Sequence, residues 1–171
     1  NIPLFYYRRH GENLTEKRGK ILENRNKILF KNNRNNKKKR VIAFVPIRGE
    51  KFDKFSNVFR KIESKYLIDW TLENLSESKL INHIIVSSPD SKVLNYIKNK
   101  KNPKLIALKR DISLASQSVL LDDSITFALK KYKKLKGFIP DYVLLSKLNC
   151  PFRNYKHLDN AINTIQIFNL D

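Results

Sequence analysis

From residue 41 onward, short apolar runs alternate regularly with amphipathic stretches, and this alternation constrains the fold more than any other feature. The runs have the length of buried strands, and the stretches between them repeat apolar residues at helical spacing. Such alternation is typical of crossover units, which build a parallel sheet covered by helices on both faces. The sequence therefore predicts a three-layer α/β fold with a mostly parallel sheet. The predicted strands are 41–47, 82–87, 104–108 and 141–146, and the predicted helices are 67–80, 89–100, 119–135 and 157–168.

Two serines stand where helix N-caps are expected. Ser88 precedes Pro89, a favoured first helical residue, and Ser118 precedes the long helix. In an open parallel sheet, ligands bind beyond the carboxyl ends of the strands. We therefore expect the chemistry of this chain to lie in the loops that follow the predicted strands.

Positive charge dominates the composition, with 35 Lys+Arg against 16 Asp+Glu and a net charge of +19. The densest run, residues 32–40, reads N-N-R-N-N-K-K-K-R and contains no apolar side chain. Such a run buries nothing that would offset its ordering entropy, which favours a basic linker. The alternative is a patch for nucleic acid or another anionic surface, since Lys and Arg displace phosphate counterions. No aromatic residue interleaves the run, so nucleic acid is not the expected partner.

The remaining composition bounds the protein class. The chain contains no methionine and begins at Asn1, so we expect a piece of a longer protein. Cys150 is the single cysteine, which excludes an internal disulfide framework and a cysteine-based zinc site. No apolar run approaches the ~20 residues of a membrane helix, and no signal-peptide pattern opens the chain. A cytoplasmic protein without a membrane span is the simplest expectation.

The loop after the first predicted strand, residues 48–57, reads R-G-E-K-F-D-K-F-S-N and is the first candidate for chemistry. Gly49 would let backbone N–H groups approach a phosphate closely, and Arg48, Lys51 and Lys54 would neutralise its charge. A Walker loop would need a second glycine followed by Lys-Ser/Thr, which is missing. From these residues alone, a triphosphate-binding loop and an ordinary basic surface loop both stay open.

The order of motifs resembles the acylneuraminate (CMP-sialic acid) cytidylyltransferase family over residues 41–168. Residues 45–49 read V-P-I-R-G where the family has I-P-A-R-G-G-S-K, and residues 64–71 read S-K-Y-L-I-D-W-T where it has G-K-P-L-I-x-W-T. Residues 77–88 read E-S-K-L-I-N-H-I-I-V-S-S and are similar to E-S-K-L-F-D-x-V-I-V-S-T. Residues 109–116 resemble R-P-x-E-L-A-S, and residues 141–153 resemble D-Y-V-V-L-L-Q-P-T-S-P-L-R at equal length.

This resemblance implies a Rossmann-like nucleotide-diphospho-sugar transferase fold and a nucleotidyltransferase reaction. In the family, CTP binds with Mg²⁺, a sugar hydroxyl attacks the α-phosphorus, and pyrophosphate leaves. The expected partners are therefore CTP and an acidic or acyl-amino sugar used in surface glycan synthesis. The family's metal-binding aspartates would lie beyond Asp171, so we expect Mg²⁺ as cofactor without ligands in this chain.

The resemblance also assigns site residues by position. Arg48 matches the phosphate loop and would be the catalytic cation, with Gly49 and Lys51 beside it. Asn57 lies within one position of the family's asparagine. The base side of the nucleotide site would be formed by Arg110, Leu114, Ala115 and Ser116, which match the arginine and the L-A-S segment of the family.

The sequence departs from the family pattern at three places in this site. Glu50 puts an acid into the phosphate loop, where it would repel a phosphate. Gln117 replaces the aspartate after L-A-S, and Lys147 replaces the glutamine of the last motif. An active cytidylyltransferase and a diverged, non-catalytic nucleotide-sugar-binding or scaffold module therefore both remain hypotheses. A basic nucleic-acid-binding protein is a third, which rests on charge alone, and a homo-oligomer is left open.

The first 31 residues resemble the closing segment of family-2 glycosyltransferases. Residues 3–15 read P-L-F-Y-Y-R-R-H-G-E-N-L-T, similar to the ending Y-R-x-H-x-x-N-x-S/T of that family. A single amphipathic helix predicted over 16–30 needs a packing partner, which an upstream domain would supply. The predicted organisation is a glycosyltransferase-like tail over 1–31, a basic linker over 32–40, and the N-terminal part of a cytidylyltransferase-like domain over 41–171, with its sheet incomplete at the C-terminus.

Overall fold

The computed structural model describes residues 39–116 and 119–168. The predicted glycosyltransferase-like tail and most of the predicted linker lie outside these residues, as do Gln117 and Ser118. Six strands and four α-helices, with one 3₁₀ turn, make up the described part. In chain order they are β1 (Val41–Pro46), β2 (Lys61–Ile62), β3 (Lys65–Tyr66), α1 (Leu67–Glu77), β4 (Ile81–Ser88), α2 (Ser91–Asn99), β5 (Leu105–Lys109), the 3₁₀ turn (Ser113–Ala115), α3 (Leu121–Lys136), β6 (Tyr142–Leu145) and α4 (Tyr155–Phe168).

The central sheet has four strands in the order β5-β4-β1-β6, and every pair in it is parallel. From β1 the chain moves outward to β4 and β5, then returns to the other side of β1 with β6. The strand order therefore reverses at β1, and the crevice between the carboxyl ends of β1 and β6 is where such a sheet binds ligands. The predicted α/β fold with a mostly parallel sheet is confirmed.

Strand β1 shows why the fold has three layers. Its side chains are buried on both faces, as the near-continuous apolar run requires of a central parallel strand. Val41, Ala43 and Val45 pack in the cluster that includes residues of α1, α2 and α4. Ile42 and Phe44 point to the opposite face and pack with α3. Successive residues of one strand thus hold helices on both sides of the sheet.

Both N-cap predictions are wrong, and for Ser88 the reason is strand pairing. Ser88 pairs with Lys109 of β5, which keeps it extended, so β4 runs through it. Asp90 caps α2 instead, since its Oδ1 accepts a 2.9 Å hydrogen bond from the Lys92 N–H. Helix α3 begins at Leu121 with Leu120 at its N-cap, without a side-chain cap bond.

Two further observations complete the fold. Strands β2 and β3 form a short antiparallel hairpin, which the sequence did not predict because two-residue strands have no readable period. Within the described residues, none of the helices combines the length and the apolar character needed to cross a membrane.

Candidate functional site

A cleft of about 430 Å³ opens at the carboxyl ends of β1 and β6, where the strand order reverses. It is bounded by the loop after β1, the 3₁₀ turn after β5, the start of α3 and the loop after β6. Six of the eight predicted site residues line this cleft. They are Arg48, Asn57, Arg110, Leu114, Ala115 and Ser116.

Arg48 follows β1 directly and reaches across the cleft mouth. Its Nη2 donates to the carbonyl oxygen of Ser116 at 3.4 Å, so it joins the loop after β1 to the 3₁₀ turn. Its Nη1 lies 3.7 Å from Oδ2 of Asp53, on the same loop. The Arg48 side chain is 33% exposed, which leaves part of the guanidinium fork open to a ligand. Arg48 is therefore placed to bind an anion when the anion displaces the Asp53 carboxylate.

Gly49 is the residue that lets the chain turn sharply after β1. Its φ is +84°, in the left-handed region that favours glycine. A Cβ added there would lie 2.3 Å from Oδ2 and 2.4 Å from Cβ of Asp90, the N-cap of α2. The carbonyl oxygen of Gly49 accepts from the N–H groups of Phe52 and Asp53, which closes the turn. Gly49 supports the cleft from outside, because it does not itself line it.

Arg110 brings a buried cation to the cleft. The residue is 4% exposed, and its guanidinium donates to the Ile47 carbonyl oxygen at 3.3 Å and to Oγ of Ser124 at 3.2 Å. Its Nε has no hydrogen-bond partner among the described residues, and no described carboxylate pairs with it. Burial lowers the pKa of Arg110, and the nearby charge of Arg48 lowers it further. A buried, unpaired cation of this kind favours an anionic ligand.

The 3₁₀ turn Ser113–Ala115 supplies an apolar wall to the same cleft. Ala115 is buried and Leu114 is half-buried. Oγ of Ser124 donates to the Leu114 carbonyl oxygen at 3.0 Å, which fixes the turn against the first helical turn of α3. Arg110 donates to the same Ser124 hydroxyl, so a single buried serine positions both the cation and the wall.

Of the lining residues that were not among the predicted site residues, four bear on the chemistry of the cleft. Asp53 and Phe55 lie in the loop after β1, Ser124 in α3, and Lys147 after β6. Phe55 is 87% exposed, a large apolar side chain at the mouth of a polar cleft. Lys147 was visible in the sequence only as a departure from the family pattern, and the position of Asp53 depends on how the loop folds. The cleft thus combines the cations Arg48, Arg110 and Lys147 with one carboxylate, Asp53, among its described lining residues.

Glu50 and Lys51 point elsewhere. The Glu50 carboxylate forms an ion pair with Lys92 of α2 at 3.1 Å and does not line the cleft. The repulsion between Glu50 and a phosphate stays a prediction; the loop acid that lines the cleft is Asp53. The Lys51 ammonium lies 5.8 Å from the centre of the Phe52 ring, also outside the lining.

The described residues do not form a metal site on their own. No group of three or more His, Cys, Asp or Glu residues is arranged among them to hold an ion. Asp53 is the carboxylate of the described cleft, and it pairs with Arg48. A hard cation such as Mg²⁺ takes oxygen ligands, so this cleft could offer it at most one side-chain carboxylate.

Comparison with known proteins identifies the fold. No family model and no curated protein matches the chain. A solved 4-diphosphocytidyl-2C-methyl-D-erythritol synthase is similar with a TM-score of 0.59 at 14% identity, over 77% of this chain and 56% of that one. CMP:2-keto-3-deoxy-manno-octonic acid synthetase, solved with CTP, gives 0.57 at 13% identity, over 74% and 47%. A cytidylyltransferase from Leptospira borgpetersenii gives 0.53 at 16%, over 74% and 48%.

These similarities concern the fold, because all three identities are low. The chain spans about half the length of the structures it matches. The resemblance to the acylneuraminate branch and the glycosyltransferase-like start both stay predictions. The described part of the chain has the Rossmann-like nucleotidyltransferase fold that these cytidylyltransferases share.

Proposed function

We propose that this chain binds CTP in the cleft, as part of a cytidylyltransferase that transfers CMP to an acidic or acyl-amino sugar for surface glycan synthesis. One observation carries the proposal: two arginines and the 3₁₀ turn meet where the strand order reverses. Arg48 and Arg110 would face the phosphates, and the wall of Leu114 and Ala115 would face the base. The fold shared with cytidylyltransferases supports the choice of CTP among nucleotides.

The proposed reaction forms a bond between a sugar hydroxyl oxygen and the α-phosphorus of CTP. The bond from the α-phosphorus to the bridging oxygen breaks, pyrophosphate leaves, and the hydroxyl proton passes to solvent. Negative charge on the phosphate oxygens must be stabilised as this happens, and positioned cations are the residues that do so. Arg48 takes this role because its fork is partly exposed, while Arg110 stays buried and sets the positive potential of the cleft.

Nucleotide binding requires one exchange at Arg48. Its Nη1 now faces Asp53, so a phosphate must displace this carboxylate or share the guanidinium with it. The exchange costs little, because partly exposed ion pairs are worth only about 0–1 kcal/mol. Mg²⁺ remains a prediction for this chain: it would arrive with the triphosphate, and nothing in the proposed role of Arg48 or Arg110 depends on it.

The test is isothermal titration of the full chain with CTP in the presence of Mg²⁺. We expect Arg48→Ala to weaken binding by on the order of 1.5–3 kcal/mol, the usual contribution of a hydrogen bond to a charged group. Arg60→Ala is the matched control, because Arg60 is an exposed arginine of the same connection that does not line the cleft. Equal losses in both variants would point to diffuse surface charge, and no binding by the wild type would reject the proposal.

A second function is favoured by one specific observation, the carboxylate of Asp53 inside the cleft. An acid that holds the phosphate-facing arginine suits a module that binds a nucleotide sugar without turning it over. Release of pyrophosphate from CTP and an acidic sugar separates the two functions. CTP binding without any release, in a protein that carries the whole fold of its structural neighbours, would favour the non-catalytic module.

A further inference from the structure

The carboxyl-terminal half of α3 carries dense positive charge without compensation. From Ser124 to Pro140 the sequence contains no acidic residue. The five lysines in this stretch are all exposed, and no ion pair joins any of them to another described residue. They are Lys130, Lys131, Lys133, Lys134 and Lys136.

Apolar side chains are exposed among these lysines. Leu135 is 62% exposed and Ile139 is 55% exposed. Phe127 and four of the lysines line a shallow groove, and the Lys131 ammonium lies 5.6 Å from the centre of the Phe127 ring. The long lysine stems can cover such apolar surface while their charged ends stay in a polar layer. The surface is therefore both cationic and apolar.

The start of β1 extends the same surface. Lys39 and Arg40 are exposed, and the Arg40 guanidinium carbon lies 4.0 Å from the centre of the Phe138 ring, just after α3. Asp141, the first acid after this stretch of the sequence, accepts a hydrogen bond from the Arg40 backbone N–H. The pKa of His83 is lowered by burial and, to a smaller extent, by the positive charge of Lys136, so this charge reaches His83 in β4. The positive potential here therefore comes from several elements.

We propose that this end of the molecule docks on an anionic lipid bilayer. The docking surface, called the lysine surface below, consists of Lys39, Arg40, the five lysines of α3, Leu135 and Ile139. Lysines near an anionic membrane each strengthen binding about fivefold, and exposed aliphatic side chains enter the headgroup region. A nucleic-acid duplex would use the charges but not Leu135 and Ile139, which is why the observations favour a bilayer.

The geometry is compatible with an accessible cleft in the docked state. Helix α3 begins at the cleft, where Leu121 and Ser124 line it, and ends among the lysines. At a rise of 1.5 Å per residue, Lys136 lies about 22 Å along the helix axis from Leu121. The cleft therefore lies at the start of α3 and the lysine surface along its second half and the loop that follows, so a bilayer docked on the lysines does not have to cover the cleft.

The experiment is co-sedimentation of the full chain with vesicles of phosphatidylcholine alone, or of phosphatidylcholine and phosphatidylserine in equal parts. We expect binding to the mixed vesicles only, with a fall as salt is raised. The triple variant Lys130→Gln, Lys131→Gln, Lys134→Gln should lower this binding about a hundredfold, from about fivefold per lysine. The variant Leu135→Ser with Ile139→Ser should also lower it, and both sites are exposed, so the fold is kept.

The matched control replaces three exposed lysines outside α3, with Lys61→Gln in β2, Lys98→Gln in α2 and Lys156→Gln in α4. It should retain most of the binding. The proposal is overturned if the wild type ignores the mixed vesicles, or if the control loses as much as the α3 variant. It is also overturned if Leu135→Ser with Ile139→Ser changes nothing while duplex DNA binds with the same lysine dependence, since the surface would then be one for nucleic acid.

Discussion

At Gly49 the requirement for glycine has two separate causes, a backbone angle and a close neighbour. The residue has a φ of +84°, and an added Cβ would collide with the Asp90 side chain at 2.3 Å. Gly137, which ends α3, has nearly the same φ of +79°, but an added Cβ would meet nothing within 4 Å. Alanine substitutions at the two glycines therefore separate the free-energy cost of the backbone angle from that of the contact with Asp90.

We predict that Gly49→Ala lowers the free energy of unfolding by about 2–5 kcal/mol, from the left-handed angle and the collision together. Gly137→Ala should cost only about 1–2 kcal/mol, since the angle alone is strained. Urea denaturation followed by circular dichroism measures both. If the two losses are equal, Asp90 moves aside freely and does not fix the loop after β1.

A different prediction concerns Arg110, because its charge is buried and no described carboxylate pairs with it. An apolar side chain of similar volume removes the desolvation cost of a buried charge, but it also removes the hydrogen bonds to Ile47 and Ser124. These two effects oppose each other, so we expect Arg110→Met to change the free energy of unfolding by no more than about 1 kcal/mol in the absence of ligand. The same variant should lose the rise in melting temperature that CTP gives to the wild type. A large loss of stability without ligand would show that Arg110 holds the fold rather than the nucleotide.

At the residue scale, the sequence predicted several residues that line the cleft but not the contacts between them. Arg48 and the segment Leu114–Ser116 are far apart in the chain, yet Arg48 donates to the Ser116 carbonyl oxygen. Their roles in binding remain predictions, although the fold brings them together. Sequence alone could not place Asp53 inward and Glu50 outward, because both follow from the turn at Gly49 and from Lys92 of a later helix.

At the level of elements, α1 and α2 are joined by one buried polar contact. The Tyr96 hydroxyl of α2 donates to the Asp69 carboxylate of α1, at 2.9 Å from Oδ1 and 2.7 Å from Oδ2. Lys100 completes the contact with its Nζ 2.8 Å from Asp69 Oδ1. Burial and the bond to Asp69 raise the pKa of Tyr96, so its hydroxyl stays protonated at any physiological pH.

We predict that Tyr96→Phe lowers the free energy of unfolding by about 1.5–3 kcal/mol, since it removes a hydrogen bond to a charged group. Tyr66→Phe is the control, because the Tyr66 ring packs edge to face against Tyr96 with 5.9 Å between the ring centres, and the Tyr66 hydroxyl has no hydrogen bond among the described residues. Thermal melting of both variants gives the comparison. Similar losses would mean that ring packing, rather than the Asp69 contact, joins the helices.

Element boundaries show what periodicity does and does not reveal. The four sheet strands and the four helices lie where the apolar spacing predicted them, within a few residues. The errors come from interactions with distant residues. Ser88 became the end of a strand because β5 pairs with it, and the hairpin at Lys61–Tyr66 was too short to show any alternation.

For the whole molecule, the division of the chain into three parts remains a prediction, and proteolysis tests it. We expect trypsin to cut first within residues 32–40 and to leave a fragment that starts near Val41, because this run is rich in Lys and Arg and has no apolar side chain to bury. Mass spectrometry of a digestion time course identifies the fragments. Faster cutting inside 41–168, for example within the lysines of α3, would contradict a compact domain over these residues.

The parallel order of the sheet also has a consequence for how the protein is made. Strand β1 lies between β4 and β6, and Arg40 at its start contacts Asp141, which is 101 positions later. A ribosome adding about 5–20 residues per second needs about 5–20 s to reach that far. Throughout that interval one edge of an entirely apolar strand has no neighbour, and unpaired strand edges promote aggregation. Slower translation would lengthen this interval, so yield of the folded protein should depend on elongation speed and on chaperones that cover β1.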